Sequence, residues 1–201
     1  MSPHLPKGNF VDAPEGRLRR LASAKGYGAS PVSLVGCAAE YLWKSYVLVL
    51  LARLAPPGWT TWCHRLRGVR MGREVFIDRF AVIDGSFPER VTIEDEVRIA
   101  PGAAVLAHYE PGSTLARYTK PYVLDVRLGR YCFIGVNAVV MPGTTVGEGA
   151  IVTSGSVVLS DAPPYTVVSG NPAKPVNTEA FLSVLYWNGR RGCVIIMLAP
   201  E

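Results

Sequence analysis

The sequence predicts an all-β solenoid of short strands with an N-terminal helical extension, and three observations carry that expectation. Aliphatic residues recur in steps of six: Met71, Ile77 and Ile83, then Ile93, Ile99 and Val105 after a shift of ten, and finally Leu128, Ile134, Val140, Val146, Val152 and Val158 without a break. Small residues (Cys132, Ala138, Thr144, Ala150 and Ser156) follow four positions behind them. Glycine (20) and proline (16) are too frequent for a helical bundle, while 49% apolar and 18% charged residues exclude a disordered chain.

A period of six matches neither the 3.6 of a helix nor the alternation of one long strand. It fits a coil in which each short strand turns one aliphatic inward and a small residue permits the turn to the next face. Three strands per turn then stack the aliphatics in columns, burying a core that no single repeat buries alone. A sandwich of short strands would have loops of variable length, and the last six aliphatics show no slippage.

The remaining segments are placed around residues 69–176, the repeat domain. Residues 1–33 mix Pro, Gly and basic residues without period and are expected to be a flexible N-terminal segment. Residues 34–68 read as a helical extension. Within it Tyr41–Ala55 forms an amphipathic stretch interrupted by Lys44 and Arg53 and ended by Pro56-Pro57-Gly58. That stretch is short of the roughly 20 apolar residues of a membrane span. Packing of its apolar face on the repeat domain is the expectation, with peripheral membrane contact the less favoured alternative. Residues 177–201 form a C-terminal extension whose apolar end, CVIIMLAPE, suits packing or an interface strand. The stretch between Val105 and Leu128 breaks the repeat and is expected to project as a loop over about 109–127, where function often resides.

A formal net charge of +5 suits an anionic small molecule or a membrane surface. No Lys/Arg block and no aromatic-rich basic run is present, so nucleic acid ranks low as a partner. Four scattered cysteines (Cys37, Cys63, Cys132 and Cys193) read as buried reduced thiols. With no apolar h-region in the first thirty residues, a cytoplasmic protein is expected.

The run from Ile134-Gly135-Val136-Asn137 through Met141-Pro142-Gly143 to Val146-Gly147-Glu148-Gly149, with Ser154-Gly155-Ser156 and Ser169-Gly170-Asn171-Pro172-Ala173-Lys174, resembles the hexapeptide-repeat acyltransferase family. The likeness is to the branch of galactoside, maltose, polysaccharide and xenobiotic O-acetyltransferases, over about Gly68–Val176. It implies a left-handed parallel β-helix, a hand that breaks the usual crossover rule and that the residue pattern alone does not reveal. It also implies a homotrimer with active sites between subunits, and acetyl-CoA as the acyl donor.

The resemblance implies roles for particular residues. His108, in Val105-Leu106-Ala107-His108 at the mouth of the projecting loop, matches the family's general base. An imidazole titrating near neutral pH suits removal of a proton from an acceptor hydroxyl. Asp84 and Glu110 are the carboxylates expected near it, Asp84 having a turn role beside Gly85 as its alternative and Glu110 a solvated loop charge. Gly135, Ser154 and Gly155 match positions along which pantetheine lies, with amides near Gly135-Val136 as oxyanion donors. Each also has a plain turn role. Phe133 stands where a tryptophan is frequent beside the pantetheine, and Lys174 matches a phosphate-binding basic position. Leu159-Ser160-Asp161 departs from Thr-Lys-Asp, so one phosphate-binding lysine is missing.

These features favour an acetyl-CoA-dependent O-acetyltransferase acting on a sugar, glycan or natural product, without a metal and without a covalent acyl-enzyme. An N-acyltransferase on an amino sugar and a catalytically silent trimeric scaffold are the alternatives. A metal-dependent carbonic anhydrase on the same kind of coil needs three histidines. The chain has only His4, His64 and His108, of which two lie outside the repeat.

Overall fold

The aliphatics spaced six apart do stack in register. In the computed structural model, which describes residues 9–10, 17–28, 30–54, 58–111, 115 and 118–176, Ile77, Ile99, Ile134, Val152 and Val168 pair in succession down one parallel sheet. Met71, Ile93, Leu128 and Val146 form a second column. Ile83, Val105, Val140 and Val158 form the third. All of these except Met71 are buried.

The N-terminal part contains β1 (Asn9–Phe10), α1 (Arg17–Ala24), α2 (Pro31–Leu42), a π-helical turn over Trp43–Val47, α3 (Leu48–Leu54) and α4 (Trp59–Leu66). The coil then runs through β2 (Arg70–Met71), β3 (Phe76–Ile77), β4 (Val82–Ile83), β5 (Val91–Ile93), β6 (Arg98–Ile99) and β7 (Ala104–Val105). After the excursion β8 (His108–Tyr109) and β9 (Tyr122–Val123) it resumes with β10 (Val126–Leu128), β11 (Phe133–Ile134), β12 (Val139–Val140), β13 (Thr145–Val146), β14 (Ile151–Val152) and β15 (Val157–Val158). It closes with the hairpin of β16 (Val167–Gly170) and β17 (Ala173–Pro175).

Successive coil strands visit three sheets in turn, with orders β13-β10-β5-β2, β17-β16-β14-β11-β6-β3 and β15-β12-β7-β4. Every pairing among β2–β7 and β10–β15 is parallel. Two-residue strands are too short to stand alone, and their stability comes from stacking on the turns above and below.

The corners explain the small residues of the repeat. Cys132, Ala138, Thr144, Ala150 and Ser156 are all buried where the chain bends from one face to the next. A Cβ added at Gly135 would lie 2.6 Å from the Ser154 amide nitrogen and 2.7 Å from the Val152 carbonyl, so only glycine allows adjacent turns to approach there. Cys37, Cys63 and Cys132 are buried free thiols, and burial pushes their pKa values up. Cys193 and the whole C-terminal extension lie outside the described residues.

Three expectations need correction. The segment 1–33 is not structureless, because α1 lies within it and β1 pairs antiparallel with β9. The projecting segment is in part an antiparallel ribbon, β1-β9-β8, in which Tyr109 and Tyr122 stack at 5.3 Å. Pairing strands satisfies backbone groups that an open loop would leave to water.

The third correction concerns the helices. Helical structure begins at Pro31, capped by Ser30, three residues before the expected start at 34, and runs continuously to Leu54. Its apolar side does not pack on the coil. Cys37, Leu48 and Ala52 are its buried residues, while Val35, Leu42, Trp43, Tyr46, Leu50 and Leu54 are exposed. Beside these buried residues the inner side carries half-buried polar groups: Ser45 donates to the Gly85 carbonyl, and Glu40 accepts from Tyr27 and Lys44. By contrast α4 is docked, with Thr60 and Thr61 donating to the Ala52 and Val75 carbonyls at 3.2 Å.

Candidate functional site

Asp84 follows β4, in the turn after Ile83, and its side chain is buried in the body of the protein. The carboxylate is fully buried and accepts five N–H donors. Oδ1 takes the amides of Ser86 (2.9 Å) and Phe87 (2.8 Å). Oδ2 takes the amides of Ala107 (2.7 Å) and His108 (3.1 Å) and the His108 ring nitrogen Nδ1 (2.6 Å). Burial is the largest single influence on this carboxyl and opposes ionisation. The His108 hydrogen bond and charge, with the Phe87 and Ala107 amides, together outweigh it and hold the pKa below the usual carboxylate range.

An ionised Asp84 defines the state of its partner. Nδ1 of His108 must carry the proton shared with Oδ2, so in the neutral ring Nε2 is the basic nitrogen. The Phe87 ring meets the imidazole edge to face at a centroid distance of 5.4 Å, limiting its rotation. The result is a half-buried imidazole with one nitrogen held by a buried carboxylate, an arrangement able to support proton transfer at the other.

Behind Asp84 lies a residue that sequence reasoning missed. Arg67, fully buried, donates to the Asp84 carbonyl at 2.6 Å, the Ile83 carbonyl at 3.1 Å and the Lys44 carbonyl at 2.8 Å. Its fourth partner is His64 Nδ1 at 2.8 Å, which must accept because a guanidinium only donates. Burial lowers the Arg67 pKa to about 10, and burial plus the neighbouring guanidinium lowers His64 to about 3, so His64 is neutral and Arg67 charged near neutral pH. No motif in the sequence marks this pair, because its partners are mostly backbone carbonyls from distant segments.

Glu110 follows β8 and is exposed, and the carboxylate bonded to the His108 ring is that of Asp84. Phe133 is half-buried on β11, facing Arg98 and Ile151 in register. The Gly135 amide donates to the Val152 carbonyl at 2.8 Å, which removes it as an oxyanion donor, while Val136 is exposed at the corner beyond. Ser154 and Gly155 occupy an exposed corner where Gly155 takes φ +71°, so its glycine answers a backbone need rather than a close approach.

Lys174 is exposed on the closing hairpin opposite Ser169. That hairpin is tied to the coil by Thr153 Oγ1 to Ser169 Oγ (2.8 Å) and by the Gly170 amide to Ser156 Oγ (3.1 Å). Asp161 accepts the Thr145 amide at 2.7 Å, a corner role independent of the missing lysine at Ser160. Among the described residues no group of three His, Cys, Asp or Glu side chains is placed to hold a metal.

A three-faced coil of six-residue repeats thus presents a histidine held by a buried carboxylate at the excursion that interrupts it. Residues 125–160 match the family described as bacterial transferase hexapeptide (six repeats). YvoF of Bacillus subtilis, provisionally named an acetyltransferase, is 29% identical over 139 residues, covering 68% of this chain and 77% of that one. Galactoside O-acetyltransferase of Escherichia coli is 32% identical over 87 residues, 43% of each chain. A chloramphenicol acetyltransferase of Agrobacterium fabrum is 44% identical over 52 residues, 26% of this chain and 25% of its own. The match therefore spans less than half the length of those two enzymes.

Solved structures share the fold. A hexapeptide-repeat acetyltransferase of Vibrio cholerae superposes with a TM-score of 0.60 at 21% identity, covering 76% of this chain and 95% of that one. A maltose O-acetyltransferase of Clostridium difficile gives 0.57 at 20% identity, covering 70% and 86%. The Vibrio protein has also been solved in complex with acetyl-CoA.

Proposed function

We propose that the chain is an acetyl-CoA-dependent O-acetyltransferase that acylates a hydroxyl of a sugar, glycan or natural product, with His108 as general base. The observation that carries this reading is the 2.6 Å contact between His108 Nδ1 and the buried Asp84 Oδ2. His108 Nε2 takes the acceptor's proton as the acceptor oxygen bonds to the thioester carbonyl carbon. Asp84 stabilises the imidazolium so formed without itself becoming protonated. As the carbon–sulfur bond breaks, the departing thiolate takes a proton back from the imidazolium, and the ring returns to its starting state. The acetyl group passes directly from donor to acceptor.

The same reading takes the coil as left-handed and the active protein as a cytoplasmic homotrimer with clefts between subunits. Lys174 on the closing hairpin is the cation for the phosphates of CoA, and the exposed Ser154–Gly155 corner is the rail for the pantetheine arm. Support comes from the named acetyltransferases among the relatives and from the shared fold.

Calorimetric titration of acetyl-CoA and CoA into the purified protein and into His108→Ala tests the donor, and thiol release over a panel of hydroxylated acceptors tests the transfer. Saturable binding in both proteins is expected, with turnover falling on the order of 10²–10⁴-fold in the variant. Absence of binding at millimolar ligand would overturn the transferase reading in favour of a scaffold.

A further inference from the structure

The continuous helix of 24 residues from Pro31 to Leu54 buries only Cys37, Leu48 and Ala52 and leaves most of its large apolar side chains outside. Its polar side chains Ser33, Glu40, Lys44 and Ser45 lie half-buried on one side, two of them bonded to Gly85 and Tyr27. On the opposite side Val35, Leu42, Trp43, Tyr46, Leu50 and Leu54 are exposed at helical spacing, and Arg53 is the single exposed charge of the helix. The following helix α4 adds Trp59 and Trp62, each more than half exposed, their rings meeting edge to face at 6.0 Å. Three of the chain's four tryptophans are thus on the exposed surface of these helices.

The charge around that face is one-sided. Residues 17–70 contain nine Lys or Arg and a single acidic residue, Glu40, whereas the entire chain has a net charge of only +5. Arg67 is buried and Lys44 is paired with Glu40, while Arg19, Arg53, Arg65 and Arg70 are exposed. Three of the nine are arginines of α1, which packs against α2, and Arg65 is on α4. Exposed aliphatics with tryptophan and tyrosine, next to concentrated positive charge, match the chemistry of an anionic lipid surface. The aromatic rings suit the headgroup level and the basic residues the acidic headgroups.

We propose that the exposed face of α2, α3 and α4 lies on the surface of a membrane containing anionic lipid, anchoring the protein peripherally. The helix rests on the membrane rather than crossing it, because its inward side is bonded to the coil. Ser45 holds the Gly85 carbonyl, and the Lys44 carbonyl accepts from the buried Arg67 at 2.8 Å. A crossing helix would have to break these bonds or carry the polar coil into hydrocarbon. The proposal stands independently of acyl transfer. It also places the turn that carries Asp84 against the anchoring helix.

The test is flotation of the purified full-length protein with phosphatidylcholine vesicles, with and without phosphatidylglycerol, with tryptophan emission recorded in parallel. Co-flotation with the anionic vesicles is expected, weakened by salt and accompanied by a blue shift. Leu50→Glu should lower the partition coefficient about tenfold or more, with unchanged thermal melting because Leu50 is 58% exposed. Val35→Glu, at a position 69% exposed, serves as the second variant should Leu50→Glu fail to fold. A folded protein that stays in the pellet with both vesicle types overturns the proposal. So does Leu50→Glu leaving flotation intact, or dissociating an oligomer, which would assign the face to a second copy of the chain. Resistance of bound protein to alkaline extraction would overturn surface anchoring in favour of a span.

Discussion

Arg67 grips the backbone of Asp84 while His108 grips its side chain: the guanidinium donates to the Asp84 carbonyl at 2.6 Å, and the carboxylate holds His108 Nδ1 at 2.6 Å. The residue that orients the proposed base is thus fixed from both ends. Arg67 also binds the Lys44 carbonyl and His64, so the helical extension and the coil meet at the turn behind His108. The extension is therefore part of the site's support.

Arg67→Met should destabilise the protein by about 3 kcal/mol or more. The change leaves the Lys44, Ile83 and Asp84 carbonyls without their donor in a buried setting, at about 1–3 kcal/mol for each group left unsatisfied. Arg67→Lys should recover only part of this, since one ammonium cannot reproduce the planar fork. Denaturant unfolding monitored by circular dichroism measures both.

Asp84→Asn should lose activity and stability together. All five contacts to the carboxylate are N–H donors, so the amide –NH₂ of asparagine must face at least two of them. A cost of about 2–3 kcal/mol follows from the unpaired donors. Thiol-release turnover at neutral pH should fall on the order of 10²–10⁴-fold as the imidazole loses its orientation. Melting temperature and initial rates of the variant check the two effects separately.

Acid should unfold the protein in two stages, both with the same sign. His64 is lowered from 6.5 in an unfolded chain to about 3 in the fold, so between those values the unfolded state binds the extra proton. Stability from this group is complete above about pH 6.5 and is lost as pH falls toward 3. Asp84 is also depressed on folding, so its contribution is present above about pH 4 and is lost as pH falls through its lower folded value. Unfolding midpoints between pH 7 and 3 should decline from the start of that range. His64→Asn, which keeps an acceptor but does not titrate, should flatten the upper part of the curve.

Two glycines should respond differently to alanine. At Gly135 the new Cβ meets the Ser154 amide nitrogen at 2.6 Å, and forcing the adjacent turns apart should cost about 1–3 kcal/mol. At Gly155 the Cβ meets no atom within 4 Å, and the cost is that of holding φ +71°, about 1–2 kcal/mol. Thermal melting of both variants, beside acetyl-CoA titration, separates packing from donor binding. An affinity loss in Gly155→Ala beyond its loss of stability would mark that corner as part of the donor path.

Much of the coil was legible in the sequence because its rule is local. An aliphatic every six residues and a small residue at each corner require no partner to be read, and the stacked columns from Met71 to Val158 follow from that spacing. His108 was legible for a related reason: it opens the one long break in the pattern, and its partner Asp84 follows an inward aliphatic. Its 2.6 Å bond to Asp84 could not be read from spacing, since Asp84 and Glu110 are both in reach along the chain.

What only the tertiary structure decided depends on groups brought together from far apart. Arg67 and His64 have no local signal, because the guanidinium is satisfied by carbonyls of Lys44, Ile83 and Asp84 that any residue types could supply. The helix over 31–54 shows the same limit in reverse. Its amphipathic pattern was visible, but hydrophobic periodicity says only that the two faces differ. Which face turns inward was settled by the bonds that Ser45 and the Lys44 carbonyl make to the coil, and these turn the apolar side outward.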